Sequence, residues 1–283
     1  MRKPAVLILR ALALLAALLA QPAAQASEAV RLQTAPINPQ DLASLQTGAK
    51  LFVNYCLGCH SASYMRYNRL TDLGLTEQQI RENLVPTGVK VGELMQVAMD
   101  TKNAQEWFGA PPPDLTVVAR SRSSGAGSGA DWLYTYLRAF YRDDSRPTGW
   151  NNLVFENVGM PHVLWQLAGQ PELVRQQFER HEDAVAALLA AKTVARLDEA
   201  MVKDKSGKDA KRYVLRSLQP GSAGALTPAE YDKTVADLVN YMTYMAEPAR
   251  IERTQIGIYV LLALGVLFVL ALLLKREYWK DVH

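Results

Sequence analysis

The sequence predicts a mainly helical domain with long structured loops, exported across a membrane and held there by one C-terminal helix. Three observations carry that reading. An apolar run of 19 residues, Ile256–Leu274, lies near the C-terminus. Amphipathic patterns with capping residues recur between Asp41 and Met245. Stretches rich in Pro, Gly and Ser, without periodicity, separate them.

The N-terminus reads as an export signal. Arg2, Lys3 and Arg10 flank and interrupt an Ala/Leu/Val/Ile run that reaches Ala20, and "PAAQAS" follows, with Ala24-Gln25-Ala26 as a small-x-small cleavage site. Residues 1–26 are therefore expected to be removed. The formal charge of +3 over the 283 residues is carried by those three basic residues, so the mature chain is near neutral and no nucleic-acid partner is indicated. Residues 27–253 then form the exported part, about 230 residues, room for one sizeable domain.

Within it, residues 27–40, with Pro36 and Pro39, read as an extended lead-in. "DLASLQTGAKLFVNYC" has a helical period through Leu42, Leu45, Ala49, Phe52 and Val53. "TEQQIRENL" reads as a short helix capped by Thr76, and "VGELMQVAMD" as another. "GAPPPDL" must be irregular, because consecutive prolines donate no hydrogen bonds. "SRSSGAGSGA" reads as a flexible loop, after which Asp131 caps the aromatic-rich "WLYTYLRAFY". Residues 145–170 read as ordered loop and 171–191 as helix. The stretch "TVARLDEAMVKDKSGKDAKRYVLRSL" fits either further helix or a hairpin turning at Ser206-Gly207, with a lean to the hairpin. "TPAEYDKTVADLVNYMTYM" is a helix opened by Thr227 as N-cap, Pro228 at the first position and Glu230 closing a capping box; Val235, Leu238, Val239, Met242 and Met245 form its inner stripe. Residues 254–283 form the anchor. As a helix its 19-residue apolar run extends about 28 Å, close to the roughly 30 Å of bilayer hydrocarbon. Lys275 and Arg276 follow at once, with Tyr278 and Trp279 as interfacial anchors, which orients the C-terminus to the cytoplasm.

The chain has two cysteines, both in "CLGCH" at residues 56–60. An exported protein can form disulfides, but at this spacing a crosslink closes a very small loop and stabilises little. Cys-x-x-Cys-His outside the cytoplasm points to covalent attachment of a c-type haem. The two thiols add across the porphyrin vinyl groups, and His60 offers a ring nitrogen to the iron. A zinc site needs further ligands at matching spacing, and only His162, His181 and His283 remain. A thioredoxin-like pair starts a helix after a strand, whereas here a helical pattern leads into the motif.

The second axial ligand separates electron transfer from ligand or peroxide chemistry. Methionine raises the potential, since its neutral, soft sulfur favours ferrous iron. Seven methionines besides the initiator are available. Met65 lies too close in sequence to His60, and Met242 and Met245 belong to an inner helical stripe where methionine is ordinarily packing. Met95 and Met99 fit another amphipathic pattern, and Met201 sits among charges. Met160, in "ENVGMPHV", sits in a loop between a glycine that admits close backbone approach and a proline that stiffens the turn. His162 is the rival ligand; its ordinary role is at the surface or behind the site.

"CLGCHS", "PPDLTVVARSR", "NVGMPH" and "MAEPAR" ahead of a single C-terminal span, in that order, resemble the cytochrome c1 family, the haem subunit of quinol–cytochrome c reductase (the cytochrome bc1 complex), in its bacterial form. The resemblance covers essentially the whole mature chain. It implies a class I cytochrome c-like haem domain, with one haem c held through Cys56 and Cys59 and axial ligands His60 and Met160. Arg120 would face the haem propionates, and Pro112 would pack against the ring while carbonyls of the "PPPDL" run orient His60. Gly48, Phe52 and Cys56, each four apart, would stack against Tyr241 or Tyr244 of the last helix. The implied role is a carrier, not catalytic by itself, taking single electrons from a Rieske iron–sulfur protein to a soluble or membrane-bound cytochrome c beside a cytochrome b subunit. It would work in a dimeric complex of the bacterial inner membrane, in contact with lipid, with the haem domain in the periplasm. The acidic docking surface of mitochondrial members is not matched by the near-neutral charge here. Two alternatives share the haem motif: a tethered carrier of another oxidase or dehydrogenase, and a haem peroxidase-like enzyme. Residues 193–218 match none of these motifs and carry no assigned function.

Overall fold

Asp41 opens the first helix, α1 (Leu42–Leu51), by accepting a hydrogen bond from the Ser44 amide. In the computed structural model, which describes residues 30–280 apart from Thr87, Ala98 and residues 204–208, α1 does not end at Leu51. It runs on through a π turn, Phe52–Cys56, in which the Leu57 amide donates back five residues to the Phe52 carbonyl at 3.0 Å. Such turns re-aim side chains and recur at functional sites. This one delivers Cys56, whose carbonyl then accepts from the amides of Cys59 (3.1 Å) and His60 (2.9 Å).

Strand β1 (Ala62–Arg66) follows and pairs antiparallel with β2 (Leu94–Met95). Between them lie a 3-10 turn, Tyr67–Leu73, and helix α2 (Glu77–Asn83), which Thr76 caps in a reciprocal box with Gln79. The helix expected over "VGELMQVAMD" is absent among the described residues there. Gly92 and the β1 partner divert that stretch into a turn and a strand. Helix α3 (Thr101–Phe108) starts on Asp100 and stops at Gly109 in a left-handed conformation. A single turn, α4 (Val118–Ser121), precedes α5 (Gly129–Leu137), whose N-cap is Ser128 and not Asp131; Asp131 instead closes the capping box from the third helical position. Residues beyond Leu137 leave the helix for β3 (Phe140–Arg142), which pairs with β4 (Trp150–Asn152). A short helix, α6 (Trp165–Ala168), ends this loop-rich region.

Residues 170–222 then form a unit of their own. Strand β5 (Gln170–Phe178), helix α7 (His181–Ala190), β6 (Ala195–Lys203) and β7 (Asp209–Ser222) build a three-stranded antiparallel sheet in the order β5-β7-β6. The helix expected over 171–191 is thus half strand: consecutive residues of β5 pair with β7, from Leu173 against Leu218 to Phe178 against Tyr213. The hairpin reading of the later stretch holds for its two strands, which pair from Ala195–Ser217 to Lys203–Asp209. Its turn, Ser206-Gly207, falls outside the described residues, as does the leader at 1–26. Helix α7 covers one sheet face through Ala184 and Leu188, against Ala195, Leu197 and Leu215. The described residues accordingly form a helical core with three small sheets, more mixed than the mainly helical expectation.

The core forms where α1 and α8 (Pro228–Ala246) cross. A methyl group placed on Gly48 would lie 2.1 Å from the Asp237 carbonyl oxygen and 2.7 Å from the Tyr241 Cβ, so only glycine lets the two backbones meet. One turn on, Phe52 packs its ring 5.6 Å from that of Tyr241, both fully buried. Burying one such side chain is worth about 1.5–3 kcal/mol. Helix α5 joins through the Tyr231 hydroxyl, which donates to the Leu137 carbonyl at 2.9 Å. Pro248 ends α8, and α9 (Arg250–Tyr278) leaves the domain with 29 residues and a most apolar window of mean hydropathy 2.9, none of it buried. Three residues connect the helices, and Arg253 forms an ion pair with Glu247 across the joint at 2.9 Å.

Candidate haem site

A cavity of about 330 Å³ opens among the π turn, the proline run, α5, the 155–163 loop and α8, inside the roughly 300–1,000 Å³ range of small-molecule sites. Cys56, Cys59 and His60 line it together, because the π turn and the following turn place all three on one segment. Cys56 and Cys59 form no disulfide with each other. Burial, with Cys59 adjacent, pushes the Cys56 thiol up to about 12, so in the folded chain it is protonated and a poor nucleophile.

His60 is 9% exposed. Its Nδ1 lies 2.8 Å from the Pro113 carbonyl oxygen. A carbonyl only accepts, so that nitrogen carries the proton and the Nε2 lone pair is left for a metal. Burial, opposed by this bond and by Asp114, keeps the imidazole below its ordinary value and therefore neutral. The prolines explain why the carbonyl is available: with no N–H groups they form no helix or ladder, and Pro111, Pro112 and Pro113 all line the cavity. Asp114 then fastens the run, accepting from the Ser63 amide at 2.7 Å and the Thr116 amide at 2.8 Å, while the Leu115 amide donates to Ser61 at 2.8 Å.

Met160 lines the same cavity. The Tyr136 hydroxyl donates to its Sδ at 3.5 Å, and burial pushes that hydroxyl's titration up, so it stays a donor. Behind Tyr136 stacks Trp132, ring centres 4.8 Å apart, with the Arg122 guanidinium 4.5 Å above the indole. A side chain on Gly159 would put its Cβ 2.5 Å from the Phe108 carbonyl oxygen, so the glycine ahead of Met160 is required by close approach. The loop is held further back by amides. Asn152, buried at β4, donates to the Tyr136 carbonyl and accepts from Val154 and Phe155. Asn151 accepts from the Asn157 amide at 2.9 Å, and Arg146 grips the side chain and carbonyl of Asn157, which sits at φ 58.

Other candidates are placed differently. Arg120 is exposed and lines a second cavity with Glu247 and Arg250 near the root of α9. The arginine that lines the main cavity is Arg122, since residues two apart on a one-turn helix face different ways. Met242 lines the main cavity as well, 3% exposed; its inner-stripe position was visible in the sequence, but not that the stripe there borders a cavity. His162 does not line it. Its ring is buried and stacked parallel to Phe140 at 4.9 Å, with Trp150 and Tyr231 edge-on, an aromatic box that excludes the surface alternative and leaves the position behind the site. Tyr136 and Trp132, four apart in "WLYTYL", were a visible stacking pair that the sequence reading passed over.

Two thiols, an oriented imidazole and a thioether around an apolar cavity fit a covalently held haem c. The family model described as the Cytochrome C1 family matches residues 33–172 and 224–282. The chain is 46% identical over 253 residues to a protein named cytochrome c1 from Allochromatium vinosum, covering 89% of this chain and 90% of that one. It is 45% identical over 271 residues to a protein named ammonia monooxygenase gamma subunit from Nitrosomonas europaea, covering 95% and 97%. A cytochrome c1 from Rhodospirillum rubrum is 27% identical over 265 residues, covering 86% and 83%.

Proposed function

The chain belongs to the cytochrome c1 family, and we infer from that premise that it works as the membrane-anchored electron carrier of a quinol–cytochrome c reductase. A haem c bound in the cavity supplies a one-electron ferric–ferrous couple. Cys56 and Cys59 tether it, so an exported cofactor cannot be lost. His60, its tautomer set by Pro113, would hold the iron through Nε2. Met160 would hold it through sulfur, and a neutral thioether would favour the ferrous state. Tyr136 steadies that sulfur with its hydroxyl. No general acid, base or nucleophile enters, because only an electron moves. The observation that supports this most directly is the meeting of Cys56, Cys59, His60 and Met160 on one cavity.

In this reading the electron arrives from a Rieske iron–sulfur protein and leaves to a cytochrome c, with a cytochrome b subunit alongside in a dimeric complex. The haem domain occupies the periplasm of a bacterial inner membrane, and the Lys275-Arg276 end of α9 the cytoplasm. The relative from Nitrosomonas europaea, named for an ammonia monooxygenase, motivates a second reading in which the same carrier serves another oxidoreductase. Extraction in mild detergent separates the two. Co-purification with a di-haem cytochrome b and a Rieske protein is expected; co-purification with monooxygenase subunits, or a solitary monomer, overturns the reductase assignment. The pyridine haemochrome spectrum should report a haem with both vinyl groups saturated.

A further inference from the structure

The 155–163 loop is held on one side by the helical domain and on the other by charge. Three arginines stand in a row across the sheet of residues 170–222. Arg216 on the central strand is in register with Arg175 on β5 and with Arg196 on β6. Like charges directly opposite one another in a ladder repel, and within the sheet the carboxylate that bridges two of them is that of Asp198. It takes Arg196 Nε at 2.8 Å and Arg216 Nη2 at 2.6 Å. The other carboxylate comes from outside the sheet. Glu156, four residues ahead of Met160, accepts from Arg196 Nη2 at 3.1 Å and Arg216 Nη1 at 2.5 Å. Arg196 also donates to the Leu153 carbonyl at 3.4 Å. The two guanidiniums are largely sheltered, with 19% and 16% of their side chains exposed, so solvent screens these pairs less than it would a surface pair.

We propose that the sheet is a brace for the sixth-ligand loop, and that Glu156, clamped between Arg196 and Arg216, is a positioning residue for Met160. The inference rests on Met160 as the axial ligand and adds what keeps it there. Residues 173–223 fall in the gap between the two segments that match the family model, so this brace is built from sequence that the family pattern does not describe. The geometry makes the coupling specific. Without Glu156 the row keeps its positive charges and one carboxylate, and the loop loses its only ionic contact with the sheet among the described residues. What remains at the loop is the Tyr136 hydroxyl on Met160, with Asn151, Asn152 and Arg146, all anchored in the helical domain.

The test uses the full-length haem-loaded protein in detergent, with Glu156→Gln compared against Met160→Leu. In Glu156→Gln the amides of residues 154–159 should exchange about tenfold faster, equivalent to about 1.4 kcal/mol. The sulfur-to-iron charge-transfer band should weaken, and the reduced protein should bind carbon monoxide at least about tenfold faster. A merely structural role would lower the melting temperature and leave the band alone, and that result overturns the proposal. If Met160→Leu keeps the band, the ligand assignment is what fails, and unchanged exchange at 154–159 then disposes of the brace separately. Should Glu156→Gln not fold, the charge-balanced pair Arg216→Gln with Asp198→Asn leaves Arg196 and Glu156 matched. It removes both bridges while keeping one ion pair to the loop and should give the same changes at smaller size; no change there overturns the brace.

Discussion

Met160 and Met242 both border the cavity, but they are held in different ways. Met242 projects from the middle of α8, packed among core side chains, whereas Met160 sits on a loop seated by Gly159 and hydrogen-bonded by Tyr136. Met160→Leu should therefore expose the reduced iron to carbon monoxide and lower the potential, while Met242→Leu should leave both nearly unchanged and cost less than about 1.5 kcal/mol of stability; carbon monoxide titration and redox titration read the two outcomes. His162 gives a second residue-scale expectation. Burial among Phe140, Trp150 and Tyr231 lowers it from the ordinary 6.5 to about 4. Between those values the unfolded chain binds more protons than the folded one, so stability is full above pH 6.5 and falls as acid carries the pH down towards 4, by on the order of 3 kcal/mol. Denaturant melts across that window should show the slope, and His162→Phe, which keeps the stack on Phe140, should flatten it. The haem motif was legible because covalent chemistry fixes residue types at fixed spacing, and Met160 stood out among the methionines by its place between Gly159 and Pro161. Arg122 and His162 were not, since which face of a one-turn helix or which side of a loop looks inward is decided by tertiary packing.

At the scale of elements, the crossing of α1 and α8 is the contact the haem motif depends on. Gly48 to Asp237 sets the distance between the helices, and Phe52 on Tyr241 sets their rotation, two turns and one turn ahead of Cys56 respectively. Gly48→Ala should force the helices apart, destabilise by about 1–3 kcal/mol and lower the melting temperature by several degrees, without altering the haem spectrum of the protein that remains folded; calorimetry with parallel absorption spectra checks this. The i, i+4 spacing of Gly48, Phe52 and Cys56 and the capping box at Thr227 could be read directly, because both are local patterns. The strand β5 could not: "PELVRQQF" has no strict alternation, and its state is decided by β7, some 40 residues later in the chain. The same holds for Leu94 and Met95, whose partner lies in β1. Long-range pairing overrides local propensity wherever the local signal is weak.

For the whole molecule, the Glu247–Arg253 ion pair spans the joint where α9 leaves α8. No residue of the most apolar window of α9 is buried, so the domain does not need that helix for its core. A chain ending after Arg253 should be released as a soluble, haem-loaded protein with a melting temperature close to that of the parent; cell fractionation and calorimetry check it, and a colourless or aggregated product would contradict the boundary. The C-terminal apolar span was legible from hydropathy alone, while the sheet of residues 170–222 was visible only as a stretch matching no motif. The joint at Glu247-Pro248-Ala249 has a further consequence. Three residues span at most about 10 Å even when fully drawn out, and the proline and the ion pair stiffen them further. With α9 in a bilayer and a haem in the cavity, such a stub would hold the porphyrin at a nearly constant height and leave it no arc through which to swing. If donor and acceptor sites lie farther apart than a single hop allows, the travelling must be done by whichever protein delivers the charge, with this one as the stationary post.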